Sequence, residues 1–139
     1  MTGNAPVTVE LGFEQFLREI CTLTGINCTV KSEGIFTEHF FEEPDLPGFR
    51  IVHGGVAMEA KYFHIHFKLA DLKQLKFFDE LGPHDNRVTY AVVIDTQDRE
   101  RMRLYFPNPG RNMREYSPAE LQFFDNMRIK YQHLAEPNI

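Results

Sequence analysis

Long hydrophobic runs are missing from this sequence. No stretch of about eighteen consecutive apolar residues occurs, and the opening MTGNAPVTVE lacks the basic and apolar parts of a secretory signal. These absences predict a cytoplasmic protein without membrane insertion. Cysteine is scarce as well, with only Cys21 and Cys28. A chain without a signal usually keeps its thiols reduced, so we interpret both as small core residues rather than as a disulfide.

A basic excess and the common catalytic motifs are also missing. The formal net charge is −5, whereas a nucleic-acid-binding domain normally carries a basic surface excess, so no nucleic-acid partner is expected. Gly54-Gly55 lacks the lysine and the spacing of a phosphate-binding loop, and Ser32 and Ser117 read as a turn residue and a helix cap. The sequence therefore favours a ligand-binding protein over an enzyme defined by a known motif.

The apolar residues that are present suffice for one core. The chain has 139 residues, of which 42% are hydrophobic, which is a common size for a single domain, here taken as 1–139. Helical spacing predicts a helix over about 10–24, and the capping box at Ser117 opens a second helix through Leu134, with Ile129 among the residues available for packing. Alternating patterns between the helices predict about seven mainly antiparallel strands, with Gly54-Gly55 as a bend inside one of them. The expected fold class is α+β.

The cleanest alternation in the chain runs from Tyr62 to Leu69. It places one apolar set toward the core and one polar set on the opposite face. The apolar set is Phe63, Ile65, Phe67 and Leu69, and the polar set is His64, His66 and Lys68.

Histidines two residues apart on one strand face can approach the same metal ion. His64 and His66 have this spacing, His53 lies on a preceding and possibly adjacent strand, and Glu59 and Asp71 are the acidic candidates. The alternative is that these are ordinary exposed histidines on a sheet face.

Basic residues accompany the histidines. Lys68 shares their face, and Arg101 and Arg103 share one face of the last predicted strand by the two-residue period. Together they could steer an anionic small ligand to one region of an acidic protein. The alternative is that they belong to solvated outer faces of strands.

Residues 49–106 resemble the haem-utilisation carrier family of the HutX, ChuX and HemS type. The likeness is carried by IVHG at 51–54 and FHIHF at 63–67, by Asp71-Leu72 with the apolar residues 75–78, and by the hairpin at 88–106. The resemblance implies a cytosolic protein for haem carriage, storage or utilisation. It also implies a homodimer, because single-unit members of the family associate through sheet surfaces.

The resemblance also implies site residues. His66 matches the family's strand histidine and His53 matches its preceding apolar-His-small motif, while the family's ligating helix histidine has no counterpart in the first helix. A haem needs an apolar slot, a histidine for iron and cations near its propionates. The apolar slot is expected from Tyr62, Phe63, Phe67, Phe77 and Phe78, the iron ligand from His66 or His64, and the cations from Lys68, Arg101 and Arg103.

Two other functions remain open at this stage. One is a metal-dependent or haem-degrading enzyme that uses the same histidines. The other is a domain that has lost its ligand and acts through dimerisation. The preferred expectation is a protein that binds haem, or a similar anionic and apolar ligand, without catalysing a reaction.

Overall fold

The computed structural model describes residues 9–42, 44–53, 55–82, 87–107 and 116–135. Among them, two helices enclose eight strands in the chain order predicted for an α+β fold, which confirms the fold class. The helices are α1 (Val9–Ile20) and α2 (Pro118–Lys130), and the strands are β1 (Ile26–Ser32), β2 (Ile35–Phe41), β3 (Gly48–Val52), β4 (Gly55–Glu59), β5 (His64–Lys68), β6 (Leu72–Leu81), β7 (Arg87–Asp95) and β8 (Glu100–Tyr105).

The strands form two antiparallel sheets. The larger has the order β2-β1-β8-β7-β6, and the smaller has the order β3-β4-β5. The smaller sheet corrects one prediction, because β3 and β4 are separate antiparallel strands with Val52 paired to Gly55. The chain reverses between them, and His53 there has a positive φ of 52°. A pair of glycines in a sequence is compatible with a bend inside one strand or with a reversal of the chain between two strands. Here β3 and β4 run in opposite directions.

Local signals account for several boundaries. Glu33 and Gly34 both have positive φ, at 48° and 87°, as a tight β-hairpin turn between β1 and β2 requires. Ser117 accepts a hydrogen bond from the backbone N–H of Glu120, whose carboxylate accepts one from the N–H of Ser117. The predicted capping box therefore opens α2 as expected, although the helix ends at Lys130 and a short 3-10 turn follows to Leu134.

One continuous core joins both helices to both sheets. Phe16 of α1 is fully buried and makes edge-to-face contacts with Phe77, at 6.0 Å between ring centroids, and with Tyr131, at 5.2 Å. The Tyr131 hydroxyl donates a 2.5 Å hydrogen bond to the Glu19 carboxylate, which links the end of α2 to α1. Ile129 is 55% exposed, so the prediction that it packs was wrong.

The two cysteines lie in this core. Cys21 and Cys28 are free and buried, which confirms their interpretation as core residues. Burial raises the pKa of the Cys21 thiol to about 12 and also raises that of Cys28, so both stay protonated at neutral pH. No helix among the described residues is long and apolar enough to cross a bilayer.

Candidate functional site

Strand β5 presents its two histidines on the exposed face of the smaller sheet. Ile65, between them, is 7% exposed and belongs to the core, while His64 and His66 are both exposed. Their imidazole rings lie parallel, with centroids 6.0 Å apart and an interplanar angle of 11°. The predicted alternation is therefore correct in register. Because the face with Ile65 is buried, the side chains of the two histidines lie on the opposite, exposed face.

The pairing of β4 with β5 adds a carboxylate to this face. Glu59 is the cross-strand partner of His64, and its Oε1 lies 3.7 Å from His64 Nδ1. A ligand atom from each of Glu59, His64 and His66 lies within 4.8 Å of the other two. Of the two acidic candidates, the structure thus brings Glu59 to the histidines, and we call these three residues the β4–β5 cluster.

Arg50 of β3 orients this carboxylate. Its guanidinium donates a 2.8 Å hydrogen bond to Glu59 Oε1. That hydrogen bond, with the nearby positive charge, holds the pKa of the Glu59 carboxyl below its usual range. Glu59 is therefore ionised at neutral pH and available to a cation.

His53 is placed apart from the other two histidines. It is exposed and follows β3, and β4 lies between β3 and the histidine strand β5. The prediction that its strand could be adjacent to β5 was therefore wrong. His53 does not belong to the β4–β5 cluster.

A cleft of about 240 Å³ opens between the two sheets. His66 borders it from the smaller sheet, and Arg99 and Arg101 border it from the larger one. Its apolar lining comes from five strands and consists of Val30, Ile65, Phe67, Leu72, Val93 and Met102. We call this space the inter-sheet cleft.

Of the five aromatic residues predicted to form a ligand slot, Phe67 borders this cleft. Phe77 packs inside the core against Phe106 and Phe124. The remaining three also lie elsewhere: Phe63 packs against Phe41, Phe78 stacks on Tyr90, and Tyr62 is 83% exposed.

A change of register separates the two predicted arginines. Val93 pairs with Met102, but the next β7 residue, Ile94, pairs with Glu100, so Arg101 is an extra residue in β8. Arg101 therefore lines the inter-sheet cleft together with Met102. Arg103 instead donates a 2.7 Å hydrogen bond to Glu100 and lies 4.9 Å above the Tyr90 ring. The two arginines therefore have different surroundings, and the β-bulge at Arg101 interrupts the two-residue period from which a shared face was predicted.

Asp95, which the sequence did not single out, fixes one wall of the cleft. It is 5% exposed, and its carboxylate accepts hydrogen bonds of 2.9 Å from the N–H groups of Gln97 and Arg99 and from the Arg99 side chain. Burial alone would raise the pKa of this carboxyl, but these hydrogen bonds hold it below its usual range. Asp95 thereby holds the Arg99 guanidinium at the cleft. Asp71, the other acidic candidate, also lines the cleft.

Lys68 borders a second recess, of about 420 Å³, at the far end of β5. Arg50, Ala57 and His66 line it as well. His66 thus lies at the junction of the two cavities, whereas His64 borders neither of them. Of the two histidines of β5, His66 is therefore the one that borders a cavity.

The sequence matches no family model and no curated protein. The fold, in contrast, matches solved structures. A crystal structure of ChuX aligns with a TM-score of 0.72 and 12% identity, covering 92% of this chain and 77% of that one. A structure of the heme binding protein ChuX aligns with a TM-score of 0.71 and 10% identity, covering 90% of this chain and 76% of that one. A protein from Agrobacterium tumefaciens aligns at 0.68 with 17% identity, covering 89% and 69%. The fold expected from the sequence resemblance is thus confirmed, and this chain has the ChuX-like fold.

Proposed function

We propose that this protein binds haem at the inter-sheet cleft, with His66 as the iron ligand. The observation that carries the proposal is the position of His66, an exposed histidine at the border of a partly apolar cleft that also holds two arginines. The likeness in fold to a protein titled as heme-binding supports the same ligand class.

The residues present meet the chemical needs of a haem. The porphyrin requires apolar walls, which Ile65, Phe67 and Met102 provide in part. Its iron accepts an imidazole nitrogen as an axial ligand. Its two propionates are anionic, and Arg99 and Arg101 offer guanidinium groups on the opposite wall. When bound, the haem supplies an iron centre that this histidine can hold.

The inter-sheet cleft is of a size that would enclose a haem only in part. Its volume of about 240 Å³ lies just under the roughly 300–1,000 Å³ of small-molecule sites. The second recess, of about 420 Å³, begins on the other side of His66. A ligand larger than the cleft therefore stays partly exposed, and partial exposure favours transfer to an acceptor over long-term storage. We accordingly favour haem carriage. A homodimer and a cytoplasmic location stay predictions.

Hemin titration of the purified protein tests the iron ligand. We expect one saturable site per chain with a Soret shift, and we expect His66→Ala to weaken binding roughly tenfold or more because the axial bond is lost. His64→Ala is the matched control, since it removes an exposed histidine from the same face of β5 that borders neither cavity. It should change the affinity less than about threefold.

Two results would contradict this assignment. If wild-type protein gives no saturable spectral change, haem is not its ligand. If His64→Ala abolishes the Soret shift while His66→Ala preserves it, the iron ligand is His64 and the ligand lies over the exposed face of β5.

The two arginines of β8 test the location of the propionates. Arg101→Ala should weaken hemin binding about 3–10-fold and reduce its dependence on salt, because one cation at the cleft is removed. Arg103→Ala should leave the affinity unchanged, since Arg103 interacts with Glu100 and Tyr90 and does not line the cleft. Equal effects of the two substitutions would place the anionic groups outside the inter-sheet cleft.

A further inference from the structure

The β4–β5 cluster has the composition of a metal site. Two imidazoles and one carboxylate project from neighbouring strands, and the cross-strand pairs Glu59–His64 and Ala57–His66 set their spacing. Ala57 is small, so the space in front of His66 is not filled by a larger partner side chain. Arg50 approaches the cluster from the third strand through its hydrogen bond to Glu59.

We propose that Glu59, His64 and His66 form a binding site for a divalent transition-metal ion of the Zn²⁺ type, which binds the ion in the absence of haem. Imidazole nitrogen and carboxylate oxygen are the donors that Zn²⁺ accepts, and three protein ligands leave a coordination position for water or another ligand. The site lies on the exposed face of the smaller sheet and is open to solvent.

The distances allow this coordination after small side-chain movements. Ligand atoms about 2.0–2.2 Å from a zinc ion lie roughly 3–4 Å from one another. Here the three ligand atoms lie within 4.8 Å of one another, and the Glu59–His64 pair is already at 3.7 Å. The His64 side chain is 60% exposed, so its ring can rotate without displacing a packed neighbour. The pairing of the two strands sets the distances between the three side chains. Side-chain rotation would bring their ligand atoms the rest of the way to coordination distance.

Arg50 acts as a supporting residue for this site. Its hydrogen bond to Oε1 orients the Glu59 carboxylate, as groups behind a metal ligand commonly do. A simpler interpretation exists, in which a protonated His64 forms an ion pair with Glu59 at the surface. The two interpretations differ in one measurable respect. The ion pair needs no metal, whereas the proposed site binds one ion with a fixed stoichiometry.

Zinc binding by the full-length, haem-free protein tests the proposal. After removal of adventitious metal with a chelator, titration with Zn²⁺ against a chromophoric competitor should give one ion per chain. Glu59→Gln and His64→Asn should each weaken that binding about tenfold or more, because each removes one ligand atom. His39→Asn is the matched control, since His39 lies on β2 with its ring beside Phe63 and outside the cluster. It should bind Zn²⁺ as wild type does.

A loss of affinity in His39→Asn equal to that in His64→Asn, or no saturable binding by wild type, would overturn the proposal. Circular dichroism of each variant checks that the fold is kept. Hemin titration of Glu59→Gln separates this inference from the proposed function, because that variant keeps His66. In the wild-type protein, zinc binding without hemin binding supports the metal site and refutes the haem site. Hemin binding without zinc binding gives the reverse conclusion.

If both sites exist, they share His66. Saturating Zn²⁺ should then weaken hemin binding to wild type and lose this effect in Glu59→Gln. Competition that persists in Glu59→Gln would mean that zinc acts at some other position, and the proposed ligand set would be wrong.

Discussion

Truncation of Phe16 to alanine is expected to lower the free energy of unfolding by about 3–5 kcal/mol. Phe16 is fully buried and contacts Phe77 and Tyr131 edge to face, so the change removes a large apolar group and two aromatic pairs. Because a domain of this kind is stable by only about 5–15 kcal/mol, the variant should unfold at a much lower urea concentration.

Urea denaturation followed by circular dichroism measures this effect. Ile129→Ala is the control, because it also truncates an apolar helix residue but at a position that is 55% exposed. The control should stay within about 0.5 kcal/mol of wild type. A cost below about 1 kcal/mol for Phe16→Ala would mean that α1 does not pack on the sheet as described.

Truncation of Ile65 to alanine is expected to cost about 2–4 kcal/mol through lost burial and a residual cavity. Ile65 is 7% exposed, pairs with Met58 across the smaller sheet and lines the inter-sheet cleft. The experiment therefore tests the register of the strand that carries both histidines. A slip of one residue would turn those histidines into the core.

Lys68→Ala is the control for this second measurement. Lys68 lies on the same strand but on its exposed face, where truncation should change stability by less than about 0.5 kcal/mol. If Lys68→Ala proved the more damaging of the two substitutions, the faces of β5 would be exchanged and both proposed sites would be misplaced.

Patterns within one element were readable from the sequence. The alternation of β5 was clear because one face is buried, and the cap of α2 was clear because Ser117 and Glu120 satisfy backbone groups of their own helix turn. The ChuX-like fold also followed from short motifs in the right order. Within each strand, cap or motif, the residues that specify the structure lie close together in the chain.

Features that depend on partners elsewhere in the chain were not readable. The extra residue at Arg101 is defined only by its pairing with β7, so the two-residue period of the sequence could not reveal it. The inter-sheet cleft joins residues as far apart as Val30 and Met102. Glu59 was one of two acidic candidates, and only the register of β4 against β5 selects it over Asp71.

The contact between Tyr131 and α1 imposes an order on biosynthesis. Its hydrogen-bond partner Glu19 precedes it by 112 residues. At a synthesis rate of about 5–20 residues per second, a ribosome needs roughly 6–22 s to add the residues from Glu19 to Tyr131. During that interval the nascent chain already contains Phe16 but lacks the tyrosine ring that covers it. The apolar face of the first helix therefore stays without this part of its cover until most of the chain has been synthesised.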